Sequence, residues 1–444
     1  MLTSSYYMVI SYPFLIALLW VVSRFYLRTS RQLRLLDLET KSPLYTHFLD
    51  TVKGITTLRA FGFVSNEVQR NARLIDLSQR PAYLLYMVQQ WLNLVLDMVV
   101  MVMAAILTTL AVKLHSNSGF TGASLVTLMG FGDNLGGIVL SYTRLETSIG
   151  AIGRLKTFRE TVKAEDREEE DIVPGLEWPE RGEIELKGVS ASYEEEVEGG
   201  DGPTNLVLRD VNLSIKSGEK IAICGRTGSG KSTLVGFLLK LLDPVAEAAH
   251  NTTIDEMPLH RINRQALRER IIAVPQEAVF LPDGSTFRDN LDPLGGSTVD
   301  ECRDVLRAVG LLEFVLERGG LEAGMNAGTL SAGQRQLLSL GRALLRRRER
   351  ARRLPDGAGR GILLLDEVSS SVDHETERVM QDIIRGEFGG YTAVAVSHRL
   401  DMIMDFNTVV VMDKGEIVEV GNPLVLAGGG EGSRFGELVV ASRG

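Results

Sequence analysis

Cysteine is almost missing from this chain: 444 residues hold only Cys224 and Cys302, with no CxxC spacing. Neither a disulfide framework nor a zinc site can be built from them, and a reducing compartment is expected for both. A basic excess is missing as well. The 48 lysines and arginines are outnumbered by 57 acidic residues, for a net charge of −9. That removes the electrostatic footprint on which DNA or RNA binding rests, so no nucleic-acid partner is expected. Charge of any sign is absent from residues 1–23. A secretory signal places its positive residues before the apolar run, whereas here Arg24, Arg28, Arg31 and Arg34 follow it. The segment therefore reads as a membrane span.

Two further long apolar runs are present. Leu92 to Val112 carries Asp97 as its only charge, and Gly119 to Ser141 carries only Asp133. Each is near the ~20 residues that cross ~30 Å of hydrocarbon. The expectation is a membrane region over 1–162 with three spans at about 5–23, 92–113 and 119–141. Arginines after the first span, and Arg154, Lys156, Arg159 and Lys163 after the third, place those flanks in the cytosol. An outside amino terminus without an export signal suggests that earlier spans are missing. Residues 24–90 keep apolar positions at helical spacing, among them Leu33, Leu36, Phe48, Val52, Ile55 and Leu58, as cytosolic helices would. The acidic run Glu165 to Asp171 lies in a segment, 163–181, that reads as a solvated linker.

From 182 to 444 the pattern becomes α/β. Short β-rich runs (Glu183 to Leu186, Val211 to Ile215, Lys220 to Cys224, Ile271 to Val274, Ile362 to Asp366, Thr392 to Ser397, Thr408 to Met412) alternate with helical stretches. The third run leads into Gly225-Arg226-Thr227-Gly228-Ser229-Gly230-Lys231-Ser232, and the sequence from Lys231 onward, through Thr233, reads as a helix. Glycines let successive backbone N–H groups turn toward one anion, and the helix adds its positive end. Lys231 then serves the β and γ phosphates of a nucleotide, and Ser232 is a Mg²⁺ ligand. At the end of an apolar strand, Asp366 is placed to hold Mg²⁺, and Glu367 to polarise an attacking water. Two charges there are costly unless a metal or protons offset them.

Leu330-Ser331-Ala332-Gly333-Gln334 resembles the signature of ATP-binding-cassette (ABC) proteins. Gln276, Asp373 and His398 fall where that family has its Q-loop, D-loop and switch histidine, and Tyr193 matches the aromatic that stacks on adenine. Finer features are similar to subfamily C, the multidrug-resistance-associated exporters, and to their second nucleotide-binding domain: Asn290-Leu291-Asp292-Pro293, Leu58-Arg59-Ala60-Phe61 and Ser78-Gln79-Arg80-Pro81. Phe280-Leu281-Pro282-Asp283-Gly284 and Val368 to Asp373 resemble fungal members.

The resemblance covers essentially the whole chain. It implies an α-helical transmembrane segment followed by a P-loop NTPase domain of ABC ATPase type, with ATP and Mg²⁺ as cofactors. Gln276 joins Ser232 and Asp366 at the metal, and Glu367, His398, Gln276 and Lys231 carry hydrolysis. Gly225, Thr227, Gly228, Ser229, Gly230, Lys231, Ser232 and Thr233 hold one nucleotide, while Ser331, Gly333 and Gln334 contact another held by a partner. The implied function is ATP-driven efflux of organic anions, conjugates or drugs, within a plasma or vacuolar membrane, with the ATPase domain in the cytosol. The implied partners are the lipid bilayer, a second nucleotide-binding domain with further spans, and a small-molecule substrate. Three spans cannot enclose a pathway, so a partial chain, not competent alone, is expected. The alternative is a regulatory or non-transporting subfamily C protein.

Ala332 stands where the signature usually has glycine. The basic stretch at 346–361 and the acidic run Glu194 to Asp201 read as solvated surface loops.

Overall fold

The computed structural model describes residues 11–113, 118–162, 164–167, 169–193, 205–245, 251–354, 359–368, 372–399, 403–428 and 432–443. The chain divides into two compact units, Met1–Lys163 and Ala164–Gly444.

In the first unit, α1 (Ser11–Ala60) and α2 (Val64–Lys113) have 50 residues each, about 75 Å at 1.5 Å per residue. That is more than twice the ~30 Å of a hydrocarbon core. The expected spans and cytosolic helices are thus continuous rods, and Pro43 and Pro81 lie inside them without ending them. The two helices run antiparallel. Leu15 shares a core with Met103 and Leu107, Val22 and Tyr26 with Leu92 and Leu96, and His47 Nδ1 lies 3.5 Å from Glu67 Oε2 near the turn.

Two shorter helices, α3 (Ser118–Met129) and α4 (Phe131–Thr161), complete the unit. Among the described residues, α2 alone is long and apolar enough to count as a spanning helix. The expected first span begins in residues 1–10, outside the described residues, and the expected third is divided by Gly130 between α3 and α4. Phe14, Trp20, Leu94, Met98 and Met101 are exposed. Such a surface is unfavourable against water and neutral against lipid tails, which are as apolar as the side chains.

The second unit runs β1 (Ile184–Ala191), β2 (Leu208–Ile215), β3 (Lys220–Gly225), α5 (Lys231–Leu238), β4 (Thr252–Ile254), β5 (Met257–Pro258), α6 (Arg264–Arg270) and β6 (Ile272–Val274). It continues with α7 (Phe287–Leu291), α8 (Val299–Ala308), α9 (Leu312–Glu317), α10 (Ala332–Arg353), β7 (Ile362–Asp366), α11 (His374–Glu387), β8 (Thr392–Val396), β9 (Thr408–Asp413), β10 (Glu416–Gly421), α12 (Pro423–Gly428) and α13 (Arg434–Arg443). One sheet has the order β10-β9-β3-β8-β7-β6, parallel except for β10, and a smaller antiparallel sheet has the order β2-β1-β4-β5. Ile362 to Leu365 and Thr392 to Val396 are buried throughout, as strands covered on both faces must be. A core containing Ile221, Ile223, Leu234, Ile184 and Leu213 joins the sheets and α5, while α7 to α11 pack around Leu338, Leu344, Leu363 and Met380.

Gly225 shows how tightly the large sheet closes at the end of β3. It pairs with Met412 at a φ of 148°, and a Cβ there would lie 2.2 Å from the Met412 carbonyl oxygen. Overpacking against backbone and φ strain act together, so Gly225→Ala should cost about 3 kcal/mol or more. Urea unfolding checks this, and an unchanged midpoint would contradict the packing.

Two readings of charged segments are corrected by the fold. The run expected to be a solvated linker is exposed at Glu165, Asp166, Arg167, Glu169 and Asp171 but fastened at its centre, where the Glu170 side chain is 2% exposed and pairs with Lys240 and Arg264. The basic stretch is helical to Arg353, and its arginines are used internally. Arg347 and Arg348 pair with Glu387, Arg352 pairs with Glu301, and Arg350 donates to the carbonyls of Arg270, Glu177 and Pro179. Charge density alone misled because each partner lies far away in sequence. Residues 355–358 and the acidic run after Tyr193 fall outside the described residues.

Burial alone would raise the Glu170 carboxyl above its ordinary 4.5, but hydrogen bonds from Arg264 and Lys240 outweigh it and hold the value below. A depressed acid stabilises the fold above its unfolded value and loses that contribution as pH falls through the folded one. Acid unfolding of the detergent-solubilised chain, followed by near-UV circular dichroism, should therefore steepen below about pH 4.5. In Glu170→Gln, less stable at neutral pH, that part of the slope should be gone.

Candidate functional site

The site begins where β3 ends. Gly230 caps α5 at a φ of 98°, a left-handed conformation that glycine adopts without strain, and this turns the loop back over the helix start. Thr227 and Gly228 are exposed, and nothing lies within 4 Å of where a Cβ of Gly228 would be, so the loop has an open side. Lys231 is buried and donates to the carbonyls of Gly225 and Arg226 at 3.1 and 3.0 Å. Burial pulls its pKa down, and the neighbouring Glu367 and Asp366 carboxyls offset only part of this. Ser229 Oγ is buried with no hydrogen-bond partner among the described residues. A buried ammonium and an orphaned hydroxyl under an open loop are the features an incoming phosphate would satisfy.

Opposite stands the end of β7. Ser232 Oγ donates to Asp366 Oδ1 at 3.0 Å. Burial raises the Asp366 pKa, the Ser232 bond opposes this, and neighbouring Glu367 adds to the rise. A divalent cation would relieve this. Ser232 and Asp366 offer it hard oxygen ligands, and no group of three or more His, Cys, Asp or Glu gathers for a metal among the described residues. Its other ligands would be phosphate and water.

Glu367 is held on both sides. Gln276 Nε2 donates to Oε2 at 2.9 Å, and His398 Nε2 lies 2.7 Å from Oε1. The backbone of Glu367 has a φ of 47°, a strained left-handed conformation for a residue with a Cβ. Since Glu367 is the acceptor, the geometry assigns the proton to His398 Nε2.

Supports behind these groups escaped the sequence reading. Gln336 Nε2 donates to the Gln276 carbonyl at 2.6 Å and fixes the loop carrying Gln276. Arg399 pairs with Glu377 and donates to the Val372 carbonyl at 2.8 Å, so the residue after His398 is tied to the start of α11. Their one sequence signal is position, Gln336 two residues past the signature and Arg399 beside the histidine.

The predicted nucleotide contacts divide into two groups. Ser232 with Asp366, and Gln276 and His398 with Glu367, are joined through the bonds above, Lys231 adjoins Ser232 in the chain, and Tyr193 reaches the loop helix by donating to Thr233 Oγ1 at 3.3 Å, its ring otherwise exposed. Ser331, Gly333 and Gln334 make no hydrogen bond to the loop. Ser331 caps α10, and Gln334 completes the capping box with bonds of 2.9 and 3.1 Å. At Gly333, a Cβ would lie 3.3 Å from Thr376 Oγ1 and 3.7 Å from Asp373 Oδ1, which leaves the signature against α11. Gln276 bonds to Glu367, not to the Ser232–Asp366 pair that would hold the metal.

A glycine loop between strand and helix, an acid pair at the next-but-one strand and a doubly held glutamate define a P-loop nucleotide-hydrolysing domain. Residues 208–350 match the family model described as ABC transporter, and residues 1–132 match the ABC transporter transmembrane region. The chain carries the membrane region and the ATPase domain of an ABC transporter, and is an integral membrane protein.

ABC-type transporter braE of Annulohypoxylon truncatum is 62% identical over 98% of this chain and 31% of its own length. ABC transporter gloK of Glarea lozoyensis is 42% identical over 99% and 31%, and ABC multidrug transporter B of Aspergillus fumigatus is 42% identical over 99% and 28%. The chain thus spans roughly a third or less of the length of these fungal relatives. The solved structure of a bacterial Atm1-family ABC exporter with ATP bound shares the fold, with a TM-score of 0.78 and 21% identity over 97% of this chain and 72% of that one.

Proposed function

We propose that this chain is the ATP-hydrolysing part of an exporter of the subfamily C kind, which moves organic anions, conjugates or drugs across its membrane. The observation that carries the reading is Glu367, with both carboxylate oxygens held, beside the Ser232–Asp366 pair. In it, residues 225–233 cradle the phosphates, Tyr193 stacks on the adenine, and Lys231 meets the β and γ phosphates. Ser232, Asp366 and the Gln276 carboxamide serve Mg²⁺, which supplies charge neutralisation on the phosphates when bound. Glu367 takes the proton of the attacking water, and His398 orients it. Ser331, Gly333 and Gln334 complete the site of a second nucleotide-binding domain, provided by the same protein or by another chain.

The three apolar runs cross the membrane, plasma or vacuolar, with the basic flanks and the ATPase domain in the cytosol. The name of the Aspergillus fumigatus relative, a multidrug transporter, agrees with this substrate class. The test is MgATP-dependent uptake of a glutathione conjugate into inside-out vesicles carrying the chain with the rest of its transporter. Uptake that disappears in Glu367→Gln supports the reading. ATP turnover without uptake of that conjugate, or of neutral drugs, overturns export in favour of a regulatory role.

A further inference from the structure

We propose that residues 165–171 form a charge clamp tying the connection from the membrane region to the carboxyl end of the phosphate-loop helix, with Glu170 as the residue that positions α5 through Lys240. The inference rests on the ATPase reading above and goes beyond it.

Glu170 sits at the centre. Its Oε1 accepts from Lys240 Nζ at 2.7 Å and from Arg264 Nη2 and Nε at 2.6 and 2.8 Å, and its Oε2 accepts from the Arg264 backbone N–H at 3.2 Å. All three side chains are buried, at 2%, 6% and 5% exposure. Lys240 uses its remaining donors on the carbonyls of His260 and Ile262, at 3.1 and 2.8 Å. It lies just beyond α5 at a φ of 52°, a conformation the backbone holds only when its surroundings fix it.

Flanking pairs grip the same place. Arg268 joins Glu165 at 2.6 Å to the carbonyls of Leu239 and Lys240, at 2.9 and 2.7 Å, which are the exit of α5. Arg167 meets Asp243 at 3.1 Å, and Asp171 meets Arg261. The backbone of Ile172 is bonded on both sides, its N–H to the Arg261 carbonyl and its carbonyl to the Asn263 N–H.

Why this is more than a fastening follows from the energetics and from the spacing. A buried ion pair seldom adds stability over an apolar replacement, but removing one partner leaves uncompensated charge. Here Arg264 also meets Asp243 at 3.2 Å and Glu165 at 3.8 Å, but the buried Lys240 pairs with the Glu170 carboxylate, so the position of α5 is conditional on Glu170. Burial pulls the Lys240 pKa down, and the hydrogen bond it donates to Glu170 restores part of it. The helix α5 has 8 residues, with Lys231 first. It is too short to bend, so a displacement at Lys240 is felt at the phosphate loop. On the other side, α4 ends at Thr161 with Val162 as its cap, and only residues 163 and 164 lie between that cap and Glu165. Three peptide steps reach at most ~11 Å, so the clamp follows closely in sequence on the end of α4.

Coupling between two sites is reciprocal, and a fastening alone would not respond to nucleotide. Hydrogen–deuterium exchange on the full chain in lipid nanodiscs, with and without the non-hydrolysable analogue AMP-PNP and Mg²⁺, should show exchange across 164–172 slowed about 5-fold or more when nucleotide binds. Glu170→Gln should weaken AMP-PNP binding by about 5-fold or more, and Glu170→Asp should recover part of it. Unchanged exchange across 164–172 in a chain that binds AMP-PNP overturns the clamp alone. So does unchanged affinity in a folded Glu170→Gln chain. If that variant does not fold, the exchange result on the unaltered chain decides. An unaltered chain that fails to bind AMP-PNP overturns the ATPase reading, and the clamp with it.

Discussion

Glu367→Gln should retain ATP and lose turnover by on the order of 10²-fold or more, the scale of general-base assistance. The amide keeps the size of the carboxylate but cannot take a proton from water. It also presents one acceptor where two donors now converge, Gln276 Nε2 and His398 Nε2. One of them must turn away or face an NH₂ group, so the loss has both a chemical and a positional component. Single-turnover hydrolysis in parallel with nucleotide titration separates binding from chemistry. Turnover within a few-fold of the unaltered protein would remove Glu367 from the reaction.

Lys231→Ala should act on the other quantity. The ammonium is buried with carbonyl partners alone, and burial lowers its pKa despite Glu367 and Asp366 nearby. An anion arriving at the loop supplies the charge it lacks, a charge-assisted bond of about 1.5–3 kcal/mol, which corresponds to about 10- to 150-fold in affinity. Alanine loses that and leaves the carbonyls of Gly225 and Arg226 without their donor. Calorimetric titration with MgATP measures the effect, and equal affinity in the variant would count against a phosphate at this loop. The pair of variants therefore separates cleanly: weak binding for one, tight binding without turnover for the other.

Where the candidate site is built from residues adjacent in sequence, its geometry was legible. The strand into Gly225, the loop and Lys231, and the apolar strand ending at Asp366 and Glu367 are local patterns, and the structure places them face to face. Where a residue acts through a distant partner, it was not. Gln336 matters because the Gln276 carbonyl lies over it, and nothing in the intervening 60 residues marks that pairing. Gln334 was read as a nucleotide contact, and here it also closes a capping box with Ser331. The short strands β4 and β5 have three and two residues, too few for an alternating pattern to show.

The membrane side follows the same logic. Apolar runs locate hydrocarbon, but helical hydrogen bonding continues past them into polar sequence. Ser11–Ala60 and Val64–Lys113 are therefore single helices that carry the apolar runs on into polar sequence. Glu165 to Asp171 and the arginines from 346 to 353 were read by charge density as solvent-facing. Partners such as Lys240, Arg261, Arg264, Glu301, Glu387 and the carbonyl of Arg270 lie far away in sequence, and only the fold brings them near.

The helix α10 has 22 residues, about 33 Å at 1.5 Å per residue. Ser331 and its capping box stand at one end, and Arg350 and Arg352 are anchored at the other to Glu177, Pro179, Arg270, Glu301 and Gly296. Between them the helix is held along its length, by Gln336 on the Gln276 carbonyl and by Leu338 and Leu344 in the core. The aim of the serine end is therefore set by the whole rod at once, its core packing as well as its arginine anchors, and not by either end alone.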